Sequence, residues 1–317
     1  MPEALRIAVF WAVMVLCAAH LGLALAVAGV PTITAVAGLA KVKRLKIFID
    51  KFGQQAATFA LLGGLWIFVA LCAALAAVRF LAPAASPYFT GLPLPLAALA
   101  GPVVAGTAAF LCYRGLWQRL KARKPLPGAI GFAAPLRLWL AFFAGLAMLR
   151  PFSLKLPAPA TLAALLPPGA SLFWRLLAEG VALSLCLAGT YTGAWLVWRR
   201  DRDDFGRDYY NFTLRLAARV AFVGQVLALF AMGWIVLGLL PLVGELSARL
   251  TVAVALYGTG SLLTLLFAAV VMPQENALRH KFMLTAGFAA SVMAATGLLA
   301  GLATIFLPGA LPAVLLP

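Results

Sequence analysis

The sequence predicts an all-α integral membrane protein. Three observations carry that expectation. First, 64% of the 317 residues are hydrophobic and 11% are charged, against about 45–50% and about 25% in a water-soluble domain. Second, apolar stretches recur at the length of about 20 residues that a helix needs to cross a bilayer. Third, the basic residues collect in alternate connections between those stretches. Runs such as LAALAGPVVAGTAAF are Ala/Leu-rich and lack the two-residue alternation of a membrane β-strand. This composition excludes a soluble enzyme, a nucleic-acid-binding protein and a secreted scaffold. The four cysteines, Cys17, Cys72, Cys112 and Cys186, all fall in apolar runs with no zinc or disulfide spacing, and are read as small core residues.

Eight stretches qualify as transmembrane helices. Span 1, near 5–29, meets no charge until Lys41, so its helix can continue past a kink at Pro31 as far as Ala40. It contains a small-residue triplet, Ala26-Val27-Ala28. Little positive charge precedes it, however, and it exceeds a signal-peptide core, so it is read as a retained span. Span 2, near 53–82, opens after Lys51 with Gln54, Gln55 and Thr58. Spans 3 and 4, near 93–117 and 130–149, flank a basic connection, and Arg137 falls within span 4. Span 5, near 171–198, carries Glu179; span 6, near 212–243, carries Arg219 and Gln225. Spans 7 and 8, near 247–272 and 282–307, flank a short turn with His280. The Arg/Asp-rich segment WRRDRDDFGRDYYN, 198–211, reads as a solvated loop with Tyr209 and Tyr210 as interface aromatics. The Pro-rich connection near 150–170 reads as lying against the membrane or under an external partner.

The net charge of +16 then becomes a topological signal. Connections after spans 1, 3, 5 and 7 hold Lys41, Lys43, Arg44, Lys46 and Lys51; Arg114, Arg119, Lys121, Arg123 and Lys124; Arg199, Arg200, Arg202, Arg207 and Arg215; and Arg279 with Lys281. The opposite side has only Arg6, Arg79, Arg150, Lys155, Arg175 and Arg249. The positive-inside rule places both termini on the non-cytoplasmic side of the inner (cytoplasmic) membrane.

The two halves echo each other. Residues 5–64 and 173–224 each read as helix, charged loop, then a second helix start, KFGQQAATFALLGG in one and YYNFTLRLAARVAFVG in the other. Asp50 matches Asp208, and Gly106-Thr107 matches Gly258-Thr259. Four spans per half keep both halves in one orientation. The expected architecture is two parallel four-helix units, 1–150 and 151–317, of the kind found in transporters and redox proteins. The same offset brings His20 beside the position of Glu179.

Polar groups are so scarce that they define the candidate sites. The chain has two histidines and nine acidic residues. An ionisable side chain within a span is costly and marks function by default. His20, within MVLCAAHLGLALAVAG, reads either as an axial haem ligand or proton relay, or as an interhelical hydrogen-bond partner. Glu179, within RLLAEGVALSL, reads as a proton-transfer acid, a haem partner or a neutral interhelical acid. Arg137 could pair with it or with a haem propionate. Gln54 and Gln55 suit a quinone headgroup or ordinary interhelical contacts. His280 stands among charges and reads as solvated. With two histidines in all, at most one or two haems can bind, each needing Met, Glu or an open position as second ligand; the thioethers are Met14, Met148, Met232, Met272, Met283 and Met293.

The first 80 or so residues resemble subunit I of cytochrome bd quinol oxidases. The pieces that carry the resemblance are EALRIAVFW, His20, PTITAVAGLAKVKRLKIFID and KFGQQAATFALLGG. The resemblance implies that His20 ligates a high-spin haem and that a membrane carboxylate such as Glu179 serves as haem ligand or proton path. The family's Gly-Arg-Gln-Pro-Trp signature, its second intramembrane histidine and its long external quinol loop are missing from this sequence.

These readings converge on a membrane-embedded redox subunit of a respiratory complex. It would bind haem b through His20, the metal ligand, and pass electrons between the quinone pool and a partner carrier, for example an external cytochrome. As an enzyme it would be at most a quinol-linked oxidoreductase subunit acting with other chains. The alternatives are a proton- or cation-coupled secondary transporter and a haem-free membrane anchor.

Overall fold

In a computed structural model, residues 3–39, 46–120, 139–148, 151, 156–169, 171–203, 205–239 and 247–306 are described. The architecture is all-α. Helix α1 runs Glu3–Leu39, α2 Lys46–Leu81, α3 Pro93–Leu120, α4 Trp139–Met148, α5 Leu172–Asp203, α6 Arg207–Leu239, α7 Ala248–Val271 and α8 Lys281–Phe306. Short helical turns at Ser86–Phe89, Leu162–Leu165 and Ala277–His280 join some of them. Among the described residues, six helices are long and apolar enough to cross a membrane: those of α1, α2, α5, α6 and α7, and the Ala277–Ile305 stretch containing α8. Shorter apolar stretches, Pro93–Ala109 in α3 and Trp139–Met148, stand where spans 3 and 4 are expected. The chain is therefore a multi-pass helical membrane protein.

Local sequence explains the element ends. Ser247 caps α7 by accepting from the Leu250 amide, and Pro93 opens α3, where its missing N–H costs nothing. Between α5 and α6, Gly206 takes φ 84°, a left-handed conformation that a side chain would strain. Pro31 lies inside α1 and does not end it.

Helix α5 is the hub. It packs against α6, α1 and α8, and more of its length is buried than in any other long span. Helix α1 adds contacts to α2 and α8; α2 packs on α3, α6 on α7, and α7 on α8. Small residues permit the closest approaches. Gly29 of α1 lies on the Ser184 carbonyl and Ala188 of α5, Gly189 on Ala217 and Ala221, and Gly224 on the backbone of Cys186. Gly260 and Gly297 lock α7 and α8 in the same manner. Without a hydrophobic force between helices in lipid, such backbone approach is a main source of cohesion.

The 198–211 segment differs from expectation. Helix α5 continues through Asp203, α6 starts at Arg207, and Tyr209 and Tyr210 are 0% and 2% exposed. They are core residues, not interface aromatics. The Tyr209 ring meets Phe48 and Phe205, and its hydroxyl donates to Gln55 Oε1 at 2.5 Å.

Candidate functional site

His20 sits on α1 with its ring half-buried and stacked on Trp66 of α2, centroids 5.9 Å apart and planes 23° apart. Its Nδ1 lies 2.7 Å from the Leu16 carbonyl. A carbonyl only accepts, so Nδ1 carries the proton and Nε2 keeps its lone pair in the neutral ring. Leu16 and Trp66 beside it are exposed. His20 thus borders the lipid-facing side of the α1–α2 pair instead of the bundle interior.

Glu179 is wholly interior, at 0% exposure. Its Oε1 accepts from the Tyr257 hydroxyl of α7 at 2.6 Å, and that hydroxyl lies 3.4 Å from the Ala228 carbonyl of α6. Ser261, one turn beyond Tyr257, lies beside the same hydroxyl. Two turns along α5 from Glu179, Cys186 donates its thiol to Gln225 Oε1 of α6 at 3.1 Å. Glu179 Oε2 and Gln225 Nε2 are buried with no hydrogen-bond partner. Phe142 of α4 lies against Gly180 and closes the neighbouring face of α5. Three helices thus gather five polar side chains, Glu179 being the one acidic side chain among them.

The remaining candidates separate. Gln55 turns inward: its Nε2 donates to Asp203 Oδ2 at 2.8 Å while its Oε1 takes the Tyr209 bond, so both ends of its amide are spent. Asp203 is also held by Arg199, at 2.6 Å and 2.9 Å. Gln54 is exposed at the start of α2. Arg137 and Glu245 lie outside the described residues. Arg249 stacks its guanidinium over Phe10. His280 closes the turn before α8, half-buried. Met148 is fully buried in an apolar cluster with Leu99 and Phe173. The four cysteines are unpaired, but only Cys186 is the buried core residue expected; Cys17, Cys72 and Cys112 are exposed on the outward faces of their helices.

No group of three or more His, Cys, Asp or Glu side chains suited to a metal ion occurs among the described residues. A cavity of about 20 Å³ between α5, α6, α7 and α8, lined by Gly189, Thr190 and Thr264 among others, has room for a water-sized group but not for a quinone or haem. Three members of the Glu179 cluster, Tyr257, Ser261 and Cys186, escape sequence reading. Tyr257 and Cys186 look like packing residues inside apolar runs; a faint signal is the spacing Tyr257, Ser261, Thr264, which puts three hydroxyls on one face of α7. Comparison with protein-family models, curated proteins and solved structures finds no match to this chain.

Proposed function

We propose that the chain is a membrane-embedded redox subunit of a respiratory complex, binding haem b through His20 and passing electrons between the quinone pool and a partner carrier. The observation that carries this reading is the Nδ1–H bond from His20 to the Leu16 carbonyl. Metal-ligating histidines commonly anchor their other ring nitrogen this way, which fixes the tautomer and the ring orientation. Trp66 holds the ring from one side, and Nε2 is left as a donor atom at a lipid-facing surface. The donor set fits one axial position. A bound haem would supply the ferric/ferrous couple; the chain supplies the imidazole, its orientation and an apolar surround. The half-exposed ring calls for a partner chain to cover the open side. Gln54, exposed at the start of α2, is the amide left to meet a quinone headgroup.

The same proposal includes eight spans in two parallel units, 1–150 and 151–317, with both termini on the non-cytoplasmic side of the inner membrane. Glycines at helix contacts in both halves support the repeat. Gly63 of α2 lies on the Leu23 and Val27 side chains of α1, and Gly224 of α6 on the Leu185 and Cys186 backbone of α5. Gly145 of α4 faces Leu99 of α3, and Gly297 of α8, at the offset relating Gly106 to Gly258, faces Ala253 and Tyr257 of α7. The deciding experiment is a reduced-minus-oxidised visible spectrum of the purified chain expressed with ample haem. A b-type α-band lost in His20→Ala is the expected result. A chain with no chromophore under those conditions overturns the reading.

A further inference from the structure

We propose that Glu179, Tyr257, Ser261, Gln225 and Cys186 form a proton-binding site inside the membrane region, with the proton carried on Glu179 Oε2. The site goes beyond the haem reading and does not depend on it.

The argument begins with charge. Glu179 is 0% exposed, and no cation pairs with it among the described residues. Arg175, one turn earlier on α5, is turned away: its guanidinium stacks over Trp234 at 5.6 Å and lies flush on Gly238. An unpaired carboxylate in a dry, low-dielectric site is prohibitive, so it must acquire one positive charge. Tyr257 from α7 bonds it directly, with the Ala228 carbonyl of α6 beside the same hydroxyl; Cys186, two turns along α5, bonds Gln225 of α6, and Phe142 of α4 lies against Gly180.

That surround discriminates between a proton and a metal cation. Tyr257 presents its hydroxyl hydrogen to Oε1. Gln225 spends its oxygen on the Cys186 thiol and keeps its amide nitrogen, a donor, unspent. A cation shell needs converging oxygens, and this one offers hydrogens instead. For a proton the set is apt. The acid form is electrically neutral, whereas the carboxylate left on release already has one donor in place, the Tyr257 hydroxyl. Both states have partial support, which is what a group needs in order to take up and release a proton. A purely structural acid would have both oxygens engaged; here Oε2 is left over.

Infrared difference spectroscopy of the purified, haem-free full chain in lipid nanodiscs tests this. The expected result is a carbonyl stretch of a protonated carboxyl at neutral pH that shifts in D₂O. It is abolished in Glu179→Gln and displaced in Tyr257→Phe, which removes the bond to Oε1. Glu179→Gln keeps the neutral shape and should leave the melting temperature unchanged. If that variant fails to fold, the D₂O shift and the Tyr257→Phe displacement still decide. Absence of the band in folded chain overturns the proposal, as does a band indifferent to D₂O. A band removed by sodium at constant pH also overturns it, because the occupant would then be a metal cation. None of these outcomes bears on the spectrum of His20.

Discussion

At the scale of single residues, the scarcity of polar groups in the apolar runs is what made His20 and Glu179 legible. Their partners were not legible. Beyond the hydroxyl spacing on α7, the order of residues does not set Tyr257 or Cys186 apart from ordinary core, because the contacts to Glu179 and Gln225 join α5 with α7 and α6 across 78 and 39 positions. Gln55 shows the converse. It read as half of a quinone-facing pair with Gln54, yet successive helical positions point about 100° apart, and only Gln54 stays exposed. Tyr209→Phe should cost about 1–3 kcal/mol by leaving Gln55 Oε1 buried without its donor. Thermal unfolding in detergent reads that loss, and an unchanged midpoint would show the bond to be dispensable. His20→Met, which keeps an iron-binding side chain, should retain haem with a raised potential; loss of all haem in that variant alone would mean that the imidazole geometry is essential.

At the scale of helices, apolar length located the six long membrane helices, and charge misled only at their ends. The α5–α6 segment read as loop because it is rich in Arg and Asp. It is helical because Arg199 and Asp203 form an i, i+4 pair, and Arg199 and Arg202 stack over Trp195 and Trp198. A single glycine then makes the turn. Two glycines of α6 provide a matched test of helix contact. Gly224→Ala drives a methyl into the Cys186 backbone, so α5 and α6 must part, at about 1–3 kcal/mol. Gly233→Ala meets nothing within 4 Å and should be neutral, or stabilising by up to about 1 kcal/mol through helix propensity. Equal melting shifts in the two variants would refute the close approach.

At the scale of the whole molecule, the positive-inside pattern makes a prediction that the helices alone do not. Cysteines introduced at Lys124 and Glu275, in a chain lacking its own four, should react with an impermeant thiol reagent from the cytoplasmic side. One at Ala84 should react only from the other side. Labelling of positions 84 and 124 from the same side would mean that α3 does not cross.

The most enclosed helix is also the least suited to lipid. Of the six long spans, α5 is the least apolar; it adds a carboxyl, Glu179, to the hydroxyls of Ser184, Thr190, Tyr191 and Thr192. During biogenesis such a segment has the weakest drive to leave the insertion machinery for the bilayer. Its stability there depends on neighbours that shield it. Chain order provides one in advance, since α1 precedes it and offers Gly29 as a seat, and another at once, since α6 begins at Arg207 soon after α5 ends at Asp203. Assembly of this protein is therefore a matter of timing: α5 should settle in the membrane between a neighbour that precedes it and one that follows.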